Sequence, residues 1–98
     1  MKINFNQPIK QLDGKVVKDS TGELTLKSIA IGALSNIGQD ENPSAEEKVK
    51  WYDLTLKIYN AKGELDVSVE DVALLKARIG KGFVPLVVGR AYEMLDPK

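Results

Sequence analysis

The stretch from Ser44 to Gly63, SAEEKVKWYDLTLKIYNAKG, carries the clearest helix signature in the chain. Ser44 suits an N-cap whose capping box is completed by Glu47, and Gly63 suits the left-handed residue that follows a helix. At about 100° per residue, the apolar side chains fall on two roughly opposite stripes. One stripe comprises Ala45, Val49, Tyr52, Leu56 and Tyr59, and the other comprises Trp51, Leu54, Ile58 and Ala61. A helix that is apolar on two sides is normally packed between other elements, so the pattern predicts a central helix buried on both sides, with Trp51 and Tyr52 in the core rather than in a ligand site.

The N-terminal segment has the pattern of a β-hairpin. Apolar residues alternate with polar ones from Lys2 to Ile9, and the turn pair Asp13-Gly14 precedes Val16-Val17. Pro8 cannot donate to a ladder, so the first strand lies at an edge or its pairing ends there. A polar turn over Asp19 to Gly22 then leads into the rest of the chain.

The remaining segments predict three further helices. Leu24 to Gly38 alternates like a strand at its start, but a longer window favours a helix from Thr25 as N-cap to Gly38. A short extended piece over 64–67 precedes a helix capped by Ser68 and running to Gly80, and a last helix runs over 85–95. Gly32 and Gly89 inside these helices suggest close approach by a neighbouring backbone. The predicted fold is therefore a mostly helical α+β single domain over 1–98, with a hairpin over 1–22 and about four helices over 23–98.

Ile31 and Leu34 lie off the main apolar stripe of the helix that follows Thr25, and two interpretations stay open. The helix is either wholly buried, or it keeps an extra apolar face that a second copy of the chain covers. In the second case Ile31→Asp or Leu34→Asp should weaken a concentration-dependent dimer without unfolding the protomer. These two residues are the candidate protein interface.

Composition excludes several classes of function. Fourteen basic and fourteen acidic residues cancel to a formal net charge of zero, which removes the overall electrostatic argument for binding nucleic acid or a membrane surface. The chain contains neither cysteine nor histidine, so thiolate sites and Ser/His or Cys/His nucleophiles are excluded. The acidic residues over 39–47 lack the fixed spacing of a cation site. We therefore predict no enzyme activity, no cofactor and no metal.

Four bases and no acid lie between Lys76 and Arg90, and the set comprises Lys76, Arg78, Lys81 and Arg90. This is the only local charge asymmetry large enough to suggest a nucleic-acid-associated regulator, which is the alternative function. No aromatic ladder accompanies the bases, and three of them suit the C-terminal end of a helix. We expect no salt-sensitive binding to DNA.

The sequence gives no sign of export or of a membrane span. The opening MKINFNQPIK has no continuous apolar region, and no apolar run reaches the length of a transmembrane helix. The cytoplasm is the expected location.

Three segments together resemble a group of small proteins encoded in bacteriophages and prophages. They are INFNQPIKQLDGKVVKD near the start, EEKVKWYDLTLKIYNA in the middle and VEDVALLKARIGKGFVPLVVGRAYEMLDP at the end, where PLVVGRAYEML over 85–95 is the most specific piece. The resemblance implies a phage product in a bacterial cytoplasm, and it implies no particular activity, catalytic residue or cofactor. The layout is also similar to that of small phage tail-assembly chaperones, which bind other phage proteins. The resulting hypothesis is a non-catalytic protein that binds another phage or host protein, with a role in virion assembly, and that forms a homodimer.

Overall fold

The computed structural model describes residues 1–19 and 22–96. Its helices are α1 (Leu26–Ser35), α2 (Ala45–Asn60), α3 (Val69–Gly82) and α4 (Pro85–Leu95). Its strands are β1 (Lys2–Asn4), β2 (Lys18–Asp19), β3 (Gly22–Glu23) and β4 (Glu64–Asp66). The predicted class, a mostly helical α+β fold with four helices, is confirmed. Part of the predicted turn over 19–22 lies outside the described residues.

Capping residues set the starts of the first three helices, as the sequence predicts. Thr25, Ser44 and Ser68 each accept a hydrogen bond from the backbone three residues on, and each capping box is complete. These bonds satisfy backbone N–H groups that have no partner inside the helix. Helix α1 ends at Ser35, before the predicted Gly38, because Asn36 already adopts an extended backbone.

The N-terminal strand has a partner far away in the chain, which corrects the predicted hairpin. Strand β1 pairs antiparallel with β4, so that Ile3 lies opposite Leu65. A hairpin does form around Gly14, whose φ is +88°, and the N–H of Val17 donates to the carbonyl of Ile9 at 2.8 Å. Strand β1 thus connects the N-terminal segment to the later part of the chain, because its partner β4 follows α2.

Helix α1, rather than α2, lies at the centre of the fold. It packs against α2, α3 and α4. Its buried side chains include two alanines, and short side chains let neighbouring helices approach closely. Helix α2 buries Trp51, Leu54 and Ile58 on one side only. The prediction of a central helix covered on both sides is wrong.

The close helix contact occurs at Gly80 and not at the two glycines that the sequence suggested. A Cβ atom at Gly80 would lie 2.8 Å from the hydroxyl oxygen of Tyr92, which donates to the carbonyl of Lys76 at 2.6 Å. A Cβ at Gly32 would meet only the Phe83 ring, at an ordinary 3.8 Å, and one at Gly89 would meet nothing within 4 Å. Gly80 thus allows the end of α4 to bond to α3.

Candidate protein-binding face

Helix α2 exposes a row of apolar and aromatic side chains along its outer side. Val49 is 58% exposed, Tyr52 61%, Leu56 40% and Tyr59 66%. We call these four residues the α2 face. Their spacing of three, four and three residues places them on one line along the helix. Large apolar side chains gathered on one surface are typical of a binding site, whereas isolated ones are not.

The opposite side of α2 belongs to the core. Trp51, Leu54 and Ile58 are buried, and α1 is the helix they pack against. The prediction that both Trp51 and Tyr52 lie in the core is right for Trp51 and wrong for Tyr52. One signal in the sequence distinguishes the two stripes, because tyrosine, whose hydroxyl prefers water, occurs twice on the outer one and not at all on the inner one.

Both ends of α2 are held in place, so the α2 face is presented on a fixed helix. At the N-terminus, the N–H of Glu47 donates to the Ser44 hydroxyl, and the Ser44 N–H donates to the Glu47 carboxylate, each at 3.1 Å. At the C-terminus, Lys27 Nζ from α1 donates to the carbonyl oxygens of Tyr59 and Ala61, each at 3.2 Å. A cation at this end satisfies free carbonyls and opposes the negative end of the helix dipole.

The loop between α1 and α2 is tied to α3 by Arg78, which is only 6% exposed. Its guanidinium donates to both carboxylate oxygens of Glu41 and to the carbonyls of Ala33 and Asn36. Its Cζ also lies 4.5 Å from the centre of the Trp51 ring, close enough for a cation–π contact. Arg78 therefore closes the C-terminal end of α1 and covers the inner side of α2 at once.

The same loop brings Ile37 to the edge of the α2 face. Ile37 is 41% exposed and lines a groove with Lys48 and Tyr52. Since Asn36, the residue before it, bonds to Arg78, the position of Ile37 depends on that cluster.

Glu41 is the titratable group of this cluster. Its carboxylate accepts hydrogen bonds from Arg78, from the Gly38 N–H at 2.8 Å and from Lys81 Nζ at 3.2 Å. Bonds to the charged form, the Arg78 bonds first, lower the pKa of Glu41 from 4.5 to about 2. A carboxyl group whose pKa is lowered by folding adds stability above its unfolded value, and that stability is lost as the pH falls through the folded value.

We therefore expect the free energy of unfolding to decline between pH 4.5 and about 2, in part through Glu41. Glu41→Gln should be less stable than the wild type at neutral pH and should decline less steeply over this window. Urea unfolding at a series of pH values measures both effects. Glu46→Gln provides a control for the substitution itself, since Glu46 is exposed and lies outside the cluster around Arg78. Equal slopes for Glu41→Gln and the wild type would contradict the assignment.

The four bases of the nucleic-acid alternative do not form one free surface. Arg78 is buried against Glu41, and Lys81 shares the same carboxylate. Lys76 Nζ lies 5.6 Å from the centre of the Tyr92 ring, at the other side of α3.

Arg90 is the fourth base, and it too is held by the chain. Its Nε donates to the carbonyl of Lys10 at 3.0 Å, and its Nη2 donates to that of Gln11 at 3.2 Å. Phosphate contacts need free cations on one surface. The arrangement therefore offers little to a nucleic acid, and the absence of salt-sensitive DNA binding stays a prediction.

The structure buries most of the candidate interface residues Ile31 and Leu34. Leu34 is 4% exposed and lies beside Trp51 and Thr55 of α2, which cover it. Ile31 is partly buried and packs against the core. Of the two interpretations, the structure therefore agrees with a buried helix rather than with an exposed apolar face on α1, because α2 packs over that side of α1. The exposed apolar surface lies on α2 instead.

Comparison of the chain with protein-family models, curated proteins and solved structures finds no match. Among the described residues, no three acidic side chains come together in a way that could hold a metal ion. Within the same residues, no helix combines the length and apolar character that crossing a membrane requires.

Proposed function

We propose that this protein binds another protein through the α2 face. The observation that supports the proposal is the exposure of Val49, Tyr52, Leu56 and Tyr59 together on one fixed helix. Leaving such side chains in water is unfavourable, and a partner that covers them recovers about 25 cal/mol for each Å² of apolar surface. The face therefore has a thermodynamic reason to bind an apolar surface.

The composition of the α2 face suits a protein partner. Spacing of three and four residues is the arrangement by which an amphipathic helix anchors itself to a groove or to another helix. Tyrosine is enriched at protein interfaces, because its ring packs against a partner while its hydroxyl stays at the wet rim. Charged residues on both flanks, Lys48 and Asp53 among them, would form that rim.

We further propose a setting and a role. The resemblance of the segment over 85–95 and of the two other segments to phage and prophage proteins supports a phage product that acts in a bacterial cytoplasm. Under this proposal the partner is a phage protein, whether a second copy of this chain or a different one, or a host protein. The protein is not a catalyst, and its role lies in virion assembly.

The test is a cross-linking and capture experiment in bacteria that carry the phage or prophage. We expect the wild type to capture a defined partner and the double variant Tyr52→Glu/Tyr59→Glu to lose it. Val69→Glu is the matched control, because Val69 is 70% exposed but lies outside the α2 face, at the start of α3. Circular dichroism checks that both variants fold. Equal capture by the wild type and the double variant would overturn the proposed function.

A further inference from the structure

The α2 face follows a heptad pattern with a definite charge on each flank. Val49 and Leu56 occupy a positions, while Ala45, Tyr52 and Tyr59 occupy d positions. The e positions on one flank hold Glu46, Asp53 and Asn60, and the g positions on the other hold Lys48 and Thr55, since the helix ends at Asn60. One flank thus carries acids and the other carries a base, which is the condition for a helix to complement its own copy.

Both central charges of these flanks are available to a partner. Lys48 and Asp53 are exposed, and neither forms an ion pair with any residue in the described part of the chain. Lys48 also lines the groove that holds Ile37 and Tyr52, so it lies directly beside the apolar seam. A charge opposite it would therefore sit at the rim of the same contact.

We propose that the partner of the α2 face is a second copy of this chain, docked with the two α2 helices parallel. This inference rests on the proposed function. In a parallel pair, each g residue faces the e residue five positions further along the partner. Lys48 of each protomer then faces Asp53 of the other, which gives two symmetric opposite-charge pairs. The twofold axis runs along the helices and brings Val49, Tyr52, Leu56 and Tyr59 each next to its own copy.

The antiparallel arrangement is disfavoured by the same charges. It would set g against g and e against e, so that Asp53 faces its own copy and Lys48 has no acid opposite it. Like charges placed opposite each other oppose association. The antiparallel arrangement has one advantage, because it pairs a large side chain, Tyr52, with a smaller one, Leu56. The parallel arrangement pairs tyrosine with tyrosine, and these rings can pack offset from each other with their hydroxyls in water.

The contact is small, so the dimer is expected to be weak. Two heptads of one helix bury less than the about 800 Å² per partner found in a standard stable interface. Sedimentation equilibrium should therefore extend to about 500 µM, where we expect a reversible monomer–dimer equilibrium. The mass of one chain at every concentration would overturn the inference. Capture of a different protein through the α2 face would in that case leave the proposed function standing.

Charge reversal tests the orientation. Lys48→Glu should weaken the dimer about tenfold, because two attractive pairs become repulsive, and Asp53→Lys should do the same. The double variant Lys48→Glu/Asp53→Lys should restore wild-type association. Lys50→Glu is the matched control, since Lys50 lies on the same helix about 140° from the centre of the seam, and it should have no effect. Unchanged or stronger association of Lys48→Glu would show that Lys48 does not face Asp53 and would overturn the proposal.

A cross-link gives a second, independent readout. The chain has no cysteine, so Val49→Cys introduces a single thiol. In the parallel dimer the two thiols lie across the twofold axis, and mild oxidation should yield a disulfide-linked dimer. In the antiparallel one they lie about 15 Å apart, too far for a disulfide. Val69→Cys is the control and should remain monomeric, and equal yields from the two variants would overturn the proposal.

Discussion

Trp51→Ala is expected to lower the free energy of unfolding by about 3 to 5 kcal/mol. The indole is 8% exposed, packs in the core and carries the Arg78 guanidinium on its face. Removing it leaves a cavity and also removes the surface against which Arg78 is held. Urea unfolding followed by circular dichroism measures the change, since the only tryptophan is lost as a fluorescent probe.

Neighbouring positions on α2 provide the controls for this experiment. Tyr52→Ala, one residue on, should change stability by no more than about 0.5 kcal/mol, because its side chain is exposed. Leu54→Ala should cost about 2 to 5 kcal/mol, whereas Leu56→Ala should cost well under half of that. The sequence predicts both leucines in the core, but the Leu56 side chain is 40% exposed. Equal losses at the two leucines would show that α2 is covered on both sides after all.

Arg78→Ala is the second substitution with a large expected effect, a loss of about 2 to 4 kcal/mol. It removes every donor that the guanidinium supplies to the α1–α2 loop and leaves the Glu41 carboxylate without its main partner. Lys81→Ala is the matched control, since it removes the other cation that bonds to Glu41. The Lys81 side chain is largely exposed, so its loss should cost no more than about 1 kcal/mol.

Two further variants separate geometry from charge at this position. Arg78→Lys keeps the charge but loses the planar fork, so it should recover only part of the stability. Arg78→Met/Glu41→Gln removes both partners and should be more stable than Arg78→Ala, because no charge is left without its partner. Urea midpoints of the wild type and of the four variants give the comparison. If Arg78→Ala proved at least as stable as Lys81→Ala, that result would contradict the structural role of Arg78.

The helices and their starts could be predicted because their determinants are local. Thr25, Ser44 and Ser68 each find their partner three residues away, and Pro85 opens the last helix. Such signals require no knowledge of the rest of the fold. The alternation from Lys2 onward predicts strand β1 for the same reason, but its partner β4 lies about sixty residues away and no local pattern identifies it.

Arg78 illustrates the same limit for a charged residue. By sequence it is one of four bases in an acid-free segment, and a cation near a helix end is ordinarily solvated. In the folded chain it is the most enclosed of the four, because the α1–α2 loop brings Glu41 and the Asn36 carbonyl to it, and the end of α1 supplies the Ala33 carbonyl. The different burial of the four bases thus arises only from tertiary contacts.

The local sequence of α2 is sufficient to predict a helix with two apolar stripes, its N-cap at Ser44 and the charges beside the outer stripe. Which stripe is buried depends on tertiary contacts. Helix α1 packs against one side of α2, the side that carries Trp51, Leu54 and Ile58. Because a domain of this size has a single core and α2 lies at its edge, Tyr52 and Tyr59 are left in water, where a partner can reach them.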